Sequence, residues 1–130
     1  MPTAIIHNDR KKILVAEDEK DLREALFTVL SAEGYEVLSA DNGQAALDSA
    51  LKEHPDLILL DLMMPKMDGH AVLKALSEDT WGKNAKVIVL TALDDMETLS
   101  TTMENGGFDY MVKSDWKLED IVKKVKEKLA

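Results

Sequence analysis

Polar side chains stand directly after four short apolar runs of this sequence, and their types suggest one kind of chemistry. They are Glu17 with Asp18, Asp61, Thr91, and Lys113. Carboxylates and waters are the ligands that Mg²⁺ prefers, while a lysine and a hydroxyl can bind phosphoryl oxygens. If the fold gathers these residues, they form a site that stabilises a phosphoryl group during transfer, with one carboxylate as the acceptor.

Asp61 taken alone has a simpler interpretation. It follows the unbroken apolar run Leu57–Leu60, which is typical of a strand covered on both faces, and Pro65 and Gly69 follow in a loop. An isolated aspartate in such a position more often caps a turn than takes part in chemistry. A functional role for Asp61 therefore depends on the other polar residues lying close to it.

Five segments with strand character alternate along the chain with five helical patterns. The predicted strands are residues 13–16, 35–39, 57–60, 86–90 and 108–112, and the predicted helices begin near residues 20, 43, 70, 94 and 115. This alternation predicts an α/β fold with a doubly wound, five-stranded parallel sheet. The carboxyl ends of the strands in such a sheet meet at one crevice, which would bring the polar residues together.

Composition limits the classes of protein that the chain can belong to. Its 130 residues, 45% of them hydrophobic, fit one folded domain, which we predict over residues 13–130 after a short tail over residues 1–12. The formal net charge of −9 argues against direct binding of nucleic acid. The sequence has no cysteine and no apolar stretch long enough to span a membrane, so we expect a cytoplasmic protein.

Four motifs give the sequence a family resemblance. LVAEDE, LLDLMMPKMDG, VLTA and FDYMVK occur in the order and spacing of a response-regulator receiver domain of two-component signalling. Each motif alone is weak, but the four together resemble that family from about Lys12 to Leu129. The resemblance implies a (βα)5 flavodoxin-like fold with strand order 2-1-3-4-5.

The resemblance also implies a phosphoacceptor and a metal site. Asp61 would accept the phosphoryl group. Mg²⁺ would be held by Asp18, Asp61 and the backbone carbonyl of Met63, and Glu17 would help through a water molecule. The cluster of carboxylates fits this expectation, since neighbouring negative charges need a cation to balance them.

Three further residues have roles implied by the resemblance. Thr91 and Lys113 would bind the phosphoryl oxygens, and Tyr110 would be an aromatic switch that turns inward when Thr91 moves. Phosphorylation would then shift the balance between two packings of the loop and helix that follow Thr91. The surface that changes would comprise the fourth predicted helix, the fifth predicted strand and the last predicted helix.

The sequence departs from the family pattern in two places. Ser114 follows Lys113 where the family usually has proline in a cis bond, so either a strained cis bond forms here or the bond is trans and Lys113 is aimed differently. Met63 and Leu93 stand two residues after Asp61 and Thr91, where the family influences dephosphorylation. Neither side chain can orient an attacking water, so we expect slow self-hydrolysis of a phosphoaspartate.

Three functions compete at this stage. The first is a signalling module that takes phosphate from a histidine kinase or histidine phosphotransfer protein and then binds a downstream protein, or acts on an output domain outside this chain. The second is a Mg²⁺-dependent phosphatase with an aspartate nucleophile, but such enzymes usually have an acid where Met63 stands. The third is a pseudo-receiver that only binds proteins, which the intact set of site residues disfavours. We expect no enzymatic turnover, and the changing surface is where a homodimer could form.

Overall fold

The computed structural model describes residues 10–92 and 109–130 of the chain. Within these residues the strands are β1 (Lys12–Ala16), β2 (Glu36–Ala40), β3 (Leu57–Asp61), β4 (Val87–Thr91) and β5 (Asp109–Val112). They form one parallel sheet in the order β2-β1-β3-β4-β5. The predicted fold and strand order are therefore confirmed, with β2 at one edge of the sheet.

Four α-helices lie among the described residues. They are α1 (Lys20–Ala32), α2 (Gly43–Glu53), α3 (Gly69–Ser77) and the C-terminal helix (Leu118–Leu129). Short 3₁₀ turns occupy Gly82–Asn84 and Lys113–Asp115. The fourth predicted helix and Leu93 lie outside the described residues, as does most of the predicted tail. None of the described helices has the length and apolar character needed to cross a bilayer.

The sheet separates two hydrophobic layers, because successive residues of a strand point to opposite faces. Leu14 and Leu60 face the layer formed with α2 and α3. Ile13 and Leu59 face the layer formed with α1 and the C-terminal helix. Strands β1, β3 and β4 are almost wholly buried, which explains why their sequences are continuous apolar runs and do not alternate.

The predicted ends of the elements differ from the observed ones mainly in the last helix. This helix begins at Leu118 and not at Asp115, because residues 113–115 form a separate 3₁₀ turn. The carboxylate of Asp120 accepts a hydrogen bond from the Lys117 N–H at 2.7 Å, which fixes the later start. At the end of α1, Gly34 has a φ of 95°, as expected of the glycine after a helix.

Candidate functional site

Asp61 is the last residue of β3 and lies at the carboxyl edge of the sheet. Its residue is only 3% exposed. One carboxylate oxygen, Oδ1, accepts a hydrogen bond from the Met63 N–H at 3.1 Å, and Oδ2 lies 3.2 Å from Lys113 Nζ. The simple turn-capping interpretation accounts for the first contact. It does not account for a buried carboxylate paired with a lysine from another strand end.

Glu17 follows β1 and is completely buried. Its Oε2 accepts a hydrogen bond from the Glu19 N–H at 3.1 Å. Its Oε1 lies 3.2 Å from Lys113 Nζ, but this is an ion contact without the alignment of a hydrogen bond. Glu17 therefore has a buried oxygen that no described N–H or O–H group satisfies by direct hydrogen bonding.

Asp18 completes a cluster of three carboxylates. Oxygens of Glu17, Asp18 and Asp61 all lie within 4.8 Å of one another, and the Asp18 side chain is exposed to solvent. Three carboxylates and the one ammonium of Lys113 leave a formal charge of −2 at this place. The oxygen ligands, the charge and the open side at Asp18 all fit a hard divalent cation such as Mg²⁺.

Lys113 follows β5 and bridges the two buried acids. The described residues contain no cis peptide bond, so the bond from Lys113 to Ser114 is trans. Lys113 Nζ nevertheless reaches both Glu17 and Asp61 at 3.2 Å. The concern that a trans bond would aim the lysine differently is answered for this state of the chain, because its ammonium still contacts the predicted phosphoacceptor.

The charges of this cluster perturb one another. Burial, with a smaller contribution from the charge of Asp61, raises the pKa of Glu17 to about 7, against the opposing effect of the Glu19 N–H. Burial also raises the pKa of Asp61, although contacts with Glu17, Lys113 and the Met63 N–H oppose this. Burial lowers the pKa of Lys113, but the two acids outweigh it and the net shift is upward. Lys113 is thus charged at neutral pH, and Glu17 is close to its midpoint.

Thr91 and Tyr110 stand on neighbouring strands. Thr91 ends β4, is fully buried, and donates a hydrogen bond from Oγ1 to the Ala92 carbonyl at 3.1 Å. It pairs in register with Val112, the residue before Lys113. Tyr110 of β5 is 38% exposed and lies on the opposite face of the sheet from Met111, which packs against the layer of the C-terminal helix. An outward aromatic ring is compatible with the predicted switch, whose inward position would require a rotation.

Met63 lies beside Asp61 through its backbone. Its N–H contacts Asp61, and its side chain extends into solvent, with the residue 61% exposed. The predicted use of its carbonyl as a metal ligand stays a prediction. The side chain contributes only a thioether, which is neither an acid nor a base at this position.

Two glycines set the shape of the loop after Asp61. A Cβ atom on Gly69 would lie 2.6 Å from the Asp61 carbonyl oxygen, and one on Gly43 would lie 1.6 Å from the Met67 carbonyl oxygen. The Gly43 N–H also donates to the Pro65 carbonyl at 3.4 Å. The first residues of α2 and α3 thus lie in direct contact with the backbone of and after Asp61, and only glycine allows so close an approach. The sequence analysis did not identify this role of Gly43.

The sequence analysis also missed Arg23, a residue of α1. Its Nη1 donates to the Glu17 carbonyl at 2.9 Å and to the Asp18 carbonyl at 3.3 Å. A signal was present in the sequence, since a cation near the start of a helix is unfavourable to the helix dipole and calls for a specific partner. His54, the residue after α2, stacks on Trp81 with ring centroids 4.4 Å apart.

Comparison with known proteins identifies the family. The family model described as the response regulator receiver domain matches residues 13–126. Among curated relatives, the probable transcriptional regulator ycf27 of Porphyridium aerugineum is 45% identical over 104 residues, which are 80% of this chain and 42% of that protein. The chain therefore spans about two fifths of the length of such relatives. The sporulation initiation phosphotransferase F of Bacillus subtilis is 37% identical over 79% of this chain and 82% of its own length.

Solved structures of receiver domains share the fold of this chain. The receiver domain of the Francisella response regulator 1452 has 30% identity and a TM-score of 0.82, with 92% of this chain and 97% of that chain covered. The receiver domain of the sensor histidine kinase PA1611 from Pseudomonas aeruginosa, at 24% identity, has a TM-score of 0.81 over 92% of this chain and 98% of that chain. Its structure holds a magnesium ion in the active-site cleft.

Proposed function

Because the chain belongs to the response regulator receiver domain family of two-component signalling, we propose that it accepts a phosphoryl group on Asp61 from a phosphohistidine. The observation that carries this proposal is the meeting of Asp61, the Glu17–Asp18 pair and Lys113 at one edge of the sheet. In the transfer, an Asp61 oxygen forms a bond to phosphorus as the bond from phosphorus to the donor imidazole nitrogen breaks. The imidazole leaves as a neutral ring once its nitrogen is protonated.

The residues around Asp61 support phosphoryl transfer by limiting water, by positioning the acceptor and by stabilising negative charge. The burial of Asp61 limits water around the acceptor, and the Met63 N–H holds one of its oxygens in place. The Lys113 ammonium, already beside Asp61, is placed to contact phosphoryl oxygens as negative charge accumulates. Thr91, at the end of the adjacent strand, supplies a hydroxyl for the same purpose.

We further propose that Mg²⁺ is the resident cation. Asp18 and Asp61 would bind it directly with the Met63 carbonyl, and Glu17 would act through a water. The supporting observation is the group of three carboxylates with a formal excess of two negative charges over Lys113. When bound, Mg²⁺ supplies positive charge that offsets the repulsion between the incoming phosphate and the carboxylates.

Phosphorylation would change the surface around β5. It adds charge and acceptor oxygens next to Thr91, whose hydroxyl is bonded only to a local carbonyl, Ala92, among the described atoms. If Thr91 moves toward the phosphoryl group, the exposed ring of Tyr110 can rotate inward. The altered surface would comprise β5, the C-terminal helix and the fourth predicted helix, which lies outside the described residues. It would then bind a downstream protein, an output domain, or a second copy of the chain.

The chain is proposed to be a signalling protein and not an enzyme with turnover. Aspartate-nucleophile phosphatases use an acid or base two residues after the nucleophile, and here that position holds the solvent-exposed thioether of Met63. The same residue cannot activate water, so the phosphoaspartate should hydrolyse slowly. Location in the cytoplasm, where kinases of this signalling class act on receiver domains, belongs to the same proposal.

Incubation with acetyl phosphate and MgCl₂ tests the function directly. Intact mass should increase by one phosphoryl group in the wild-type chain and in Asp48→Asn, a control that removes a carboxylate from α2. Asp61→Asn should show no increase at any Mg²⁺ concentration. Asp18→Asn should lose the modification at low Mg²⁺ and regain it at high Mg²⁺, because its defect lies in cation binding. Modification of Asp61→Asn equal to wild type would contradict the assignment of the acceptor.

A further inference from the structure

The loop between β1 and α1 carries two of the three clustered carboxylates, yet its backbone has few partners in the sheet. The Glu17 N–H donates to the Ala40 carbonyl at 3.0 Å, which ties the start of the loop to β2. The carbonyls of Glu17 and Asp18 instead point to a side chain, the guanidinium of Arg23, at 2.9 and 3.3 Å. One nitrogen, Nη1, therefore spans two successive peptide groups of the loop.

We propose that Arg23 is a positioning residue for the cation site. By binding both carbonyls, it fixes the orientation of the peptide groups that follow Glu17 and Asp18. The backbone that carries the two acidic side chains is thereby held in one orientation. Among the described residues Arg23 forms no ion pair with a carboxylate, so its role is to orient the acidic loop and not to neutralise it. The inference rests on the proposed function only in taking Mg²⁺ as the cation.

The need for such a contact follows from the electrostatics of the loop. Glu17 and Asp18 are adjacent, and with Asp61 they place three carboxylate oxygens within 4.8 Å. Lys113 balances only one of the three formal charges, so the carboxylates repel one another, and the exposed Asp18 side chain can relieve this by turning away into solvent. The contact of Arg23 with the loop carbonyls limits the part of that movement that requires the backbone to rotate. Less conformational freedom is therefore lost when the cation binds.

Arginine suits this role better than lysine or glutamine. Its planar guanidinium presents several N–H groups in a fixed arrangement, whereas a lysine ammonium is a compact charge on a flexible stem. Glutamine keeps an N–H donor but loses the charge and is shorter. Arg23→Gln and Arg23→Lys therefore separate the donor geometry from the charge, and Lys20→Gln removes one charge from the exposed side of the same helix.

Titration with MgCl₂, followed by the backbone amide resonances of Glu19 and Met63, measures cation affinity without phosphorylation. These amides donate to Glu17 Oε2 and Asp61 Oδ1, so both should respond to the cation. We expect Arg23→Gln to raise the Mg²⁺ dissociation constant about tenfold, at the low end of the effect of residues that orient metal ligands. Arg23→Lys should fall between Arg23→Gln and wild type, and Lys20→Gln should stay within about twofold of wild type.

A double-variant comparison distinguishes orientation from long-range charge. In an Asp18→Asn background one of the oriented ligands is gone, so adding Arg23→Gln should weaken binding by clearly less than tenfold. Full additivity of the two substitutions, or an equal effect from Lys20→Gln, overturns the proposal in favour of a general charge effect. An unchanged dissociation constant in folded Arg23→Gln overturns it as well, with folding judged from the dispersion of the remaining amide resonances.

Failure of the proposed function gives a different pattern. If the wild-type chain binds Mg²⁺ but takes no phosphate from acetyl phosphate, the phosphoacceptor assignment fails, and the dissociation constants still decide the role of Arg23. If the wild-type amides do not respond to MgCl₂, the cation site and the role of Arg23 in it are both wrong. Weak Mg²⁺ binding by Arg23→Gln, with phosphorylation restored at high Mg²⁺, supports both proposals.

Discussion

Replacing Lys113 by methionine should destabilise the Mg²⁺-free protein in a strongly pH-dependent way. The ammonium lies 3.2 Å from both Glu17 and Asp61, whose side chains are 0% and 4% exposed. Methionine keeps much of the length of the side chain but leaves two buried carboxylates with no cation of their own. Removing one partner of a buried ion pair costs about 3–5 kcal/mol of stability, because the remaining charge is uncompensated.

Protonation of a buried carboxylate reduces this loss of stability in the variant. Burial has already raised the pKa of Glu17 to about 7 in the wild-type protein, and loss of Lys113 raises the pKa values of both acids further. A carboxyl with a raised pKa binds its proton more tightly in the folded than in the unfolded state, so the stability it contributes falls as pH rises. Each extra bound proton changes the free energy of unfolding by about 1.4 kcal/mol per pH unit.

These two effects give a magnitude for the experiment. If the folded variant holds one more proton than the folded wild type between pH 6 and pH 8, its stability deficit widens by about 3 kcal/mol as the pH rises over those two units. We expect a deficit of about 4 kcal/mol at pH 8 and about 1 kcal/mol at pH 6. Urea unfolding in EDTA, monitored by circular dichroism at several pH values, measures both numbers.

Lys123→Met removes an exposed lysine from the C-terminal helix and should change stability by less than about 0.5 kcal/mol at every pH. A constant deficit for Lys113→Met between pH 6 and pH 8 would mean that lost packing, and not uncompensated charge, dominates. A variant as stable as wild type at pH 8 would refute the ion contacts themselves.

The remaining predictions concern the carboxylates, the glycines and the fate of the phosphate. In EDTA the contribution of Glu17 to wild-type stability should fall by about 3 kcal/mol as pH rises from about 4.5 to 7, because folding raises its pKa, and MgCl₂ should reduce that fall at neutral pH. At pH 8 in EDTA, Asp61→Asn should unfold at a higher temperature than wild type, because burial disfavours the charged Asp61. Urea unfolding of Gly43→Ala should show a loss of about 2–3 kcal/mol in the free energy of unfolding, because its Cβ clashes with the loop backbone. Gly34→Ala should lose about 1 kcal/mol, because a Cβ there meets no atom within 4 Å and only the positive φ is unfavourable. The phosphorylated wild type should retain its phosphate for many minutes in Mg²⁺, and Met63→Asn should shorten that time; a wild-type half-life of seconds would contradict the assigned role of this position.

Much of the fold could be predicted because its signals are local. The buried strands β1, β3 and β4 are continuous apolar runs, and Gly34 marks the end of α1 by its tolerance of positive φ. The convergence of Asp61 with the Glu17–Asp18 pair followed from the parallel topology alone, since every strand ends at the same edge. The roles of these residues came from the family resemblance.

The details that escaped prediction depend on contacts between distant segments. No local pattern indicates that Gly43 lies against the backbone of Met67, because that approach is set by how α2 and the loop after β3 pack together. The contact of Arg23 with two loop carbonyls is the exception, because it joins residues only five and six positions apart; here the sequence does not show in which direction the loop carbonyls point. The late start of the last helix reflects the 3₁₀ turn Lys113–Asp115, which contains no apolar residue and therefore leaves no mark in the hydrophobic pattern.

Lys113 shows most clearly how the site combines stability with function. In the Mg²⁺-free chain its ammonium is divided between Glu17 and Asp61, so it serves as the counterion of the buried acids. The proposed reaction needs the same ammonium on a phosphoryl oxygen. Once Glu17 is neutralised by a proton or by an added cation, Lys113 is left with Asp61 as its single partner, next to the atom that would be phosphorylated. The lysine can therefore change roles through a small movement of one side chain, and no rearrangement of β5 is required.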